Sequence, residues 1–289
     1  MTASHAPSPA YRGRRAMPGP GPGAPTVVPR RLTAAQRAVA RRVAYVMASF
    51  ALAFVGWYLI SHYVAGPFLI PPPLAVLKAF GPMSESGQLY SDIGMSLSRV
   101  AVGYTAGVSV GLLVGLLMGR IKSLHDLLDP MVQITRFLSP TAMIPIVVIW
   151  FGIGETAKYA LVFWGTVSLV LINTIAGVLR TPQIRQNAAL CLGASEAQIF
   201  RLIVLPSAVP FIVIGMRLAL ASAFVSIIPA ELLAADSGLG YLLQQSSLLL
   251  QTDRIFVALV TICLVGFLTD QVFHWTTTIL LRRYLAVPS

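Results

Sequence analysis

The sequence carries few charged residues for its length. Only 11% of its 289 residues are charged and 56% are hydrophobic, whereas about 25% of the residues of a soluble domain are charged. This scarcity of charge excludes water as the main solvent of the chain. The two cysteines, Cys191 and Cys263, are too few for a disulfide framework.

The sequence also lacks the residues that several catalytic sites require. None of its three lysines (Lys78, Lys122 and Lys158) follows a glycine, so the Gly-Lys-Ser or Gly-Lys-Thr of a P-loop is absent. The chain is therefore not expected to hydrolyse ATP by that route. No dense group of His, Asp or Glu suggests a metal site or a paired acid and base, so a membrane enzyme is not predicted.

Long uncharged runs make up much of the sequence. Several reach the roughly 20 residues that a helix needs to cross a hydrocarbon core about 30 Å thick. Spans are predicted at 43–64, 98–119, 133–153, 158–179, 208–230 and 255–280. The predicted fold is all-α, a polytopic membrane protein with about six transmembrane helices. Pro140 and Pro145 interrupt the third span, so a kink is expected there.

The basic residues are placed asymmetrically along the chain. Eight arginines and no acidic residue lie in the first 42 residues, and a basic flank marks the cytoplasmic side of a span. The net charge of +11 therefore indicates membrane orientation and not nucleic-acid binding, with both termini cytoplasmic. Residues 1–42 are predicted to be a disordered tail, 43–285 the membrane domain and 286–289 a C-terminal tail. The run from Val43 is long enough to span, so no signal peptide is expected.

Two local patterns predict helix contacts and helix ends. Glycines recur every four residues in the second span, at Gly103, Gly107, Gly111 and Gly115, which favours close packing against another helix. In the polar segment 181–206, Thr181 and Pro182 predict a helix start, Gly193 a helix end, and Ser195 with Gln198 a capping box. Helix, glycine turn and helix would form a compact knob, either for docking on another protein or simply as a well-capped loop.

The same segment resembles the signature of binding-protein-dependent ABC importer permeases. That signature is a Glu-Ala-Ala triplet, a glycine four residues after its last alanine, then isoleucine, leucine and proline at set distances. Its places are occupied here by Ala188, Ala189, Gly193, Ile203, Leu205 and Pro206, with Asn187 instead of glutamate. The stretches FLIPPPLAVLKAF, SLSRVAVGYTAGVSVGLLVGLLMG, WFGIGETAKYALVF and AELLAADSGLGYLL extend the resemblance over about 65–285. They look most like the nitrate, sulfonate and taurine importer permeases.

This resemblance implies a type I permease architecture and a set of partners. Residues 187–200 would be a coupling helix that fits a cleft on a separate cytoplasmic ATPase subunit, where ATP and Mg would bind. It implies a homodimer in the bacterial plasma (inner) membrane, an extracytoplasmic solute-binding protein and a small anionic solute, with no cofactor on this chain. The predicted ATPase-coupling residues are Asn187, Ala188, Ala189, Gly193, Ala194, Ser195, Glu196, Ile203, Leu205 and Pro206.

Polar residues within the spans are candidates for the solute path. Arg217 in the fifth span is costly in a bilayer unless it faces protein or water, so it either meets an anionic solute or pairs with a carbonyl or carboxylate. Ser222 is a further candidate, as is Glu231 just outside that span, which could instead brace an outer gate. Asp270 with His274 allows an alternative, a self-contained proton-coupled transporter that uses Asp270 and Arg217.

Overall fold

Regular structure is entirely helical in residues 34–64 and 66–282, which are the residues that the computed structural model describes. The helices are α1 (Ala34–Leu59), α2 (Gly66–Leu69), α3 (Pro73–Glu85), α4 (Gln88–Arg120), α5 (Lys122–Thr135), α6 (Pro140–Phe151), α7 (Glu155–Leu179), α8 (Gln183–Cys191), α9 (Glu196–Ile199), α10 (Leu205–Ala234), α11 (Leu239–Leu248) and α12 (Thr252–Leu280). Two π-helical turns, Ile60–Val64 and Phe200–Val204, extend α1 and join α9 to α10. The all-α prediction is confirmed.

Five helical segments in the described residues are long and apolar enough to span a membrane. They are Arg41–Val64, Gln88–Arg120, Glu155–Leu179, Glu196–Leu233 and Thr252–Leu280. Each overlaps one of the predicted spans and is longer than it, most of all Gln88–Arg120 and Glu196–Leu233. The second of these two is longer because the helix that begins at Glu196 runs on into α10.

The predicted third span is not one continuous helix. Helix α5 ends at Thr135 and α6 begins at Pro140, with an angle of 101° between them. Ser139 is extended (φ −65°, ψ 136°), as the residue before a proline tends to be, because the proline ring clashes with a helical predecessor. The break thus lies at Pro140, whereas Pro145 is accommodated inside α6. Counted as one broken span, this pair brings the total in the described residues to six.

The N-terminal boundary differs from the prediction. Residues 1–33 of the predicted tail lie outside the described residues, but 34–42 are helical and belong to α1, so the membrane domain's first helix begins earlier than residue 43. The chain divides into the units Met1–Ala53 and Phe54–Ser289, and the described part of the first is the beginning of α1. The boundary predicted at 285 lies outside the described residues.

In the second unit, α7 lies between α4 and α10 and is buried along most of its length. The predicted glycines of α4 all face α7. A Cβ atom added to Gly103 would lie 2.6 Å from Val162 Cβ, and one added to Gly107 would lie 2.7 Å from Thr166 Cβ. The packing interpretation of the glycine spacing is confirmed, and it extends one step further to Gly119 against Val178.

Two apolar clusters mark the two ends of this bundle. Val178, Ile199, Val204, Ala208 and Ile212 pack together where the segment 181–206 meets α7 and α10; this is the coupling end. A second cluster joins α3, the start of α4, α11 and the start of α12; this is the distal end. Helices α4 and α7 run from the distal to the coupling end, and α10 runs back.

Candidate functional site

The segment 181–206, called the coupling segment below, begins with a helix closed by a glycine. The helix starts one residue later than predicted, because Pro182 and not Thr181 is its N-cap, and the Thr181 Oγ1 is buried without a hydrogen-bond partner among the described residues. At its end Gly193 is left-handed (φ +79°). The Gly193 N donates to the Leu190 carbonyl (2.9 Å) and the Ala194 N to the Ala189 carbonyl (3.0 Å). This pair of bonds is a Schellman motif.

The second predicted helix start is also confirmed, but the helix it begins is not a separate short one. The Ser195 N donates to Gln198 Oε1 (2.8 Å) and the Gln198 N to Ser195 Oγ (3.4 Å), which completes a capping box. From Glu196 the chain continues through the π-helical turn into α10. The prediction of a knob made of two short helices is therefore wrong, because one short helix, α8, is followed by the start of a span.

The coupling segment has an inner and an outer face. Ala189, Ala194 and Ile203 pack against the apolar cluster of the coupling end, while Leu205 and Pro206 are half-buried at the start of α10. Asn187, Ala188, Gly193, Ser195 and Glu196 are exposed. The predicted coupling residues thus divide into those that hold the segment in place and those that a partner could reach.

The outer face of the coupling segment carries exposed apolar residues that are not among the predicted coupling residues. Leu192 is 88% exposed and Ile184 is 78% exposed, and with Ala188 between them they recur every four residues. Positions four apart lie on one face of a helix, so Ile184, Ala188 and Leu192 form an apolar stripe, called the coupling stripe below. Sequence reasoning missed Ile184, although its spacing from Ala188 was available.

Behind the stripe is a cavity of about 420 Å³. It lies between the coupling segment and the ends of α4 and α7, and its polar lining comes from Arg120, Gln183, Gln186, Asn187 and Glu196. Asn187, which replaces the glutamate of the resembled signature, is one of these residues. Arg120 also lies over the Phe200 ring, 5.1 Å from its centroid, so this arginine fixes the end of α4 to the π-helical turn.

An ion network lies at the distal end, buried except for Glu155, and sequence reasoning did not predict it. Arg99 of α4 donates from Nε and Nη2 to both carboxylate oxygens of Glu155 (2.7 and 2.8 Å) and from Nη1 to Glu231 Oε1 (2.8 Å). Lys158 donates to the same Glu155 Oε1 (2.8 Å). Arg99, Glu155, Lys158 and Glu231, the distal ion network below, therefore join α4, α7 and α10.

The loop between α10 and α11 is bound to this network. The Arg99 Nη1 donates to the Ser237 carbonyl (2.6 Å), and the Gly240 N donates to Glu231 Oε2 (2.9 Å). Asp92 Oδ1 accepts a bond from the Gly238 N (2.8 Å). A Cβ on Gly238 would lie 2.6 Å from the Glu231 carboxylate, and its φ is +115°, so the close approach requires glycine.

This network changes the interpretation of Glu231. The residue lies inside α10, not just outside the span as predicted, and its side chain is fully buried. Its two oxygens accept hydrogen bonds from Ser96 and Arg99 of α4 and from the Gly240 N at the start of α11. Such a carboxylate suits the bracing role better than a place on a solute path. Ser222, another candidate for the solute path, is half-buried, and its carbonyl accepts a bond from the Ser226 hydroxyl (2.7 Å).

Arg217 and Asp270 form an ion pair between α10 and α12. The Arg217 Nε and Nη2 donate to the two oxygens of Asp270 at 2.7 and 2.6 Å, the bidentate geometry that suits guanidinium and carboxylate. Of the alternatives given for Arg217, the structure shows pairing with a carboxylate. Both side chains remain partly accessible, at 46% for Arg217 and 30% for Asp270.

Comparison with known proteins agrees with this architecture. Residues 107–284 match the family described as binding-protein-dependent transport system inner membrane component. The chain is 38% identical over 226 residues to a probable ABC transporter permease protein of Brucella melitensis biotype 1, covering 78% of this chain and 91% of that one. It is 33% identical over 221 residues to the taurine transport system permease protein of Escherichia coli strain K12, covering 75% and 80%.

A solved structure shares the fold. The inward-facing MetNI methionine ABC transporter matches with a TM-score of 0.56 at 21% identity, covering 71% of this chain and 98% of that one. This places the fold among type I ABC importer permeases. The chain belongs to the family of binding-protein-dependent transport system inner membrane components and is an ABC importer permease subunit.

Proposed function

We propose that this permease forms the path of an ATP-driven importer and that its coupling segment docks on a separate cytoplasmic ATPase subunit. The observation that carries the proposal is the coupling stripe: three exposed apolar side chains on a helix that a Schellman motif closes, just before the capping box that begins the next helix. An exposed apolar face on a rigid, otherwise polar segment is typical of a helix that enters a groove on a partner.

After the turn that ends α8, the path to the membrane is a continuous helix. From Glu196 the backbone remains helical through α9, the π-helical turn and α10 as far as Ala234. A displacement of α8 by the ATPase would therefore act on the start of α10 and be transmitted along it. Arg217, Ser222 and Glu231 lie on that same helix. ATP binding would move this rigid element and switch the path between its two open states.

The charge distribution supports the orientation that this coupling requires. Arg120, Arg180, Arg185 and Arg201 all lie at the coupling end, and loops rich in arginine stay in the cytoplasm. Both termini are proposed to be cytoplasmic, as the basic N-terminal region predicts. The distal end would then face an extracytoplasmic solute-binding protein.

The proposed assembly adds a second permease copy and ATPase subunits to this chain. Two copies of the permease form the path as a homodimer, and two ATPase subunits bind ATP and Mg, with no cofactor on the permease itself. The likeness to a taurine permease and the motifs shared with the nitrate and sulfonate branch support a small solute of sulfonate, taurine or nitrate type. The Asn187 amide can still form hydrogen bonds with the ATPase, but without charge.

Substitution of Leu192 by glutamate tests the docking role. Leu192 is 88% exposed, so the folded permease should tolerate the change, whereas a carboxylate in an apolar groove of the ATPase should weaken association at least about tenfold, as the loss of an interface hot spot does. Association of the purified permease with its ATPase, and ATP-driven uptake by the assembled complex, would both be measured.

Leu74→Glu is the matched control, because Leu74 is also an exposed leucine but lies on α3 at the distal end. It should leave ATPase association unchanged. Substitutions of Gly193 or Ala189 are less specific, since Gly193 is left-handed and Ala189 packs inward, so they would alter the segment's fold as well as its surface. Wild-type association and uptake in Leu192→Glu would refute the docking role.

A further inference from the structure

The Arg217–Asp270 ion pair lies deep in the membrane domain. Arg217 is about 18 Å along α10 from its start at Leu205, and Asp270 is about 15 Å from the end of α12 at Leu280, at 1.5 Å per residue. These distances place the pair near the middle of a hydrocarbon core about 30 Å thick. Charged groups at that depth are costly against lipid.

The pair is nevertheless not enclosed by its own chain. Arg217 is 46% and Asp270 30% exposed, so part of both charged groups faces away from the helices that carry them. Charged residues within spans almost always face protein or a water-filled cavity. The surface around the pair is therefore covered by something other than lipid tails.

A groove of about 570 Å³ adjoins the Asp270 side of this pair, and Arg217 reaches it only through its bonds to Asp270. Asp270 lines it together with Thr141 of α6, Phe224 and Ile228 of α10, and Cys263 and Gly266 of α12. A concave, mostly apolar site of this volume with a few polar groups is typical of sites for small molecules. The sharp break before α6 brings Thr141 to the groove.

Arg217 and Asp270 have hydrogen-bond donors and acceptors that their own pairing does not use. A guanidinium has five N–H donors, and Arg217 uses only its Nε and Nη2 for Asp270 among the described residues. Each Asp270 oxygen accepts one of those bonds and can accept more. A solute could therefore add its anionic end to Arg217 and its cationic end to Asp270 without breaking the pair.

We propose that this groove lines the solute path and that Arg217 and Asp270 bind the two charged ends of a zwitterionic solute, such as an amino-sulfonate or amino acid. The inference rests on the proposed function and narrows its solute class. A simple anion would add an uncompensated charge to a neutral pair in a medium of low dielectric constant, whereas a zwitterion adds none. The site thus favours the taurine-type member of that class.

Cys263 provides a native reporter in the groove, because a thiol reacts as its thiolate, which forms in water and not in hydrocarbon. The permease with Cys191→Ser would be placed in lipid nanodiscs and treated with 2-sulfonatoethyl methanethiosulfonate, a water-soluble anionic thiol reagent. The control carries Cys191→Ser, Cys263→Ser and Leu264→Cys. Leu264 is exposed at the same depth and is not among the residues of the groove.

Cys263 should react at least about tenfold faster than the cysteine at 264. Taurine should slow this reaction about tenfold more than ethanesulfonate, which has the same sulfonate but no ammonium group; a tenfold difference corresponds to about 1.4 kcal/mol. The double variant Arg217→Gln with Asp270→Asn keeps the hydrogen-bonding shape without the charges. It should abolish protection by taurine.

Two results would overturn the inference. Equal reaction at positions 263 and 264 would place the groove against lipid. Equal protection by taurine and ethanesulfonate would indicate a site for simple anions. If one of these results occurred while Leu192→Glu still abolished ATP-driven uptake, the proposed importer function would stand and only this inference would fall.

Discussion

Replacement of Glu231 by alanine is expected to lower the free energy of unfolding by about 3–5 kcal/mol, the usual cost of removing one partner of a buried ion pair. Glu231 is fully buried, and its loss would leave the Arg99 Nη1 without its carboxylate partner. The Ser96 hydroxyl and the Gly240 N–H would also lose their acceptor. Unfolding of the purified permease by denaturant in lipid or detergent would measure the change.

Glu85→Ala is the control, because Glu85 is an exposed carboxylate at the end of α3 and such substitutions change stability by about 0.5 kcal/mol or less. Glu231→Gln covers the case in which the alanine variant fails to fold. Its amide keeps one acceptor for Arg99 but presents an NH₂ group to the Gly240 N–H, so an intermediate loss is expected. Equal stability of all three variants would contradict the role given to the distal ion network.

Adding a methyl group to the glycine face of α4 is expected to disrupt its packing on α7. In Gly103→Ala the new Cβ would lie 2.6 Å from Val162 Cβ and 2.9 Å from the Tyr159 carbonyl oxygen. One of these contacts is with backbone, so the two helices must separate, and overpacking of this kind costs about 1–3 kcal/mol. The free energy of unfolding would report the loss.

The opposite change in stability is expected when Gly94 on the same helix is replaced by alanine. A Cβ at Gly94 meets nothing within 4 Å, so Gly94→Ala should stabilise the permease by about 0.5–1 kcal/mol through the higher helix propensity of alanine. The two variants make the same chemical change on the same helix, and only the contact with α7 differs. Similar effects at both positions would show that glycine is not needed for the α4–α7 contact.

The features that the sequence predicted correctly are local ones. The glycine spacing of α4, the left-handed Gly193 and the Ser195 capping box each depend on residues within a few positions, where helix geometry fixes which groups meet. The family motifs likewise lie in short stretches. For these features no knowledge of distant contacts was required.

The distal ion network could not be predicted in the same way. Arg99 lies 56 residues from Glu155 and 132 residues from Glu231, and no local pattern specifies such partners. One signal was available: ionisable residues in or beside apolar runs must find opposite charges. Applied to all of them together, that rule would have suggested pairing among Arg99, Lys158, Glu155 and Glu231.

The continuity of the coupling segment with α10 was missed for a different reason. A proline inside a helix removes a backbone donor and clashes with the carbonyl four residues before it, so a helix that continues past Pro206 was not predicted. The π-helical turn resolves this conflict: the Leu205 N donates to the Phe200 carbonyl, five residues back. The helix therefore continues past Pro206, and from Glu196 onwards one helix joins the coupling segment to the span.

Reconstituted uptake tests the central claim most directly. The permease would be placed in liposomes alone, or with its ATPase subunits inside and its solute-binding protein outside, and uptake of labelled taurine, an alkanesulfonate and nitrate would be followed. The importer account predicts uptake of one of these solutes only when all partners and ATP are present. Uptake by the permease alone under a proton gradient, abolished by Asp270→Asn, would contradict it and favour a self-contained proton-coupled transporter.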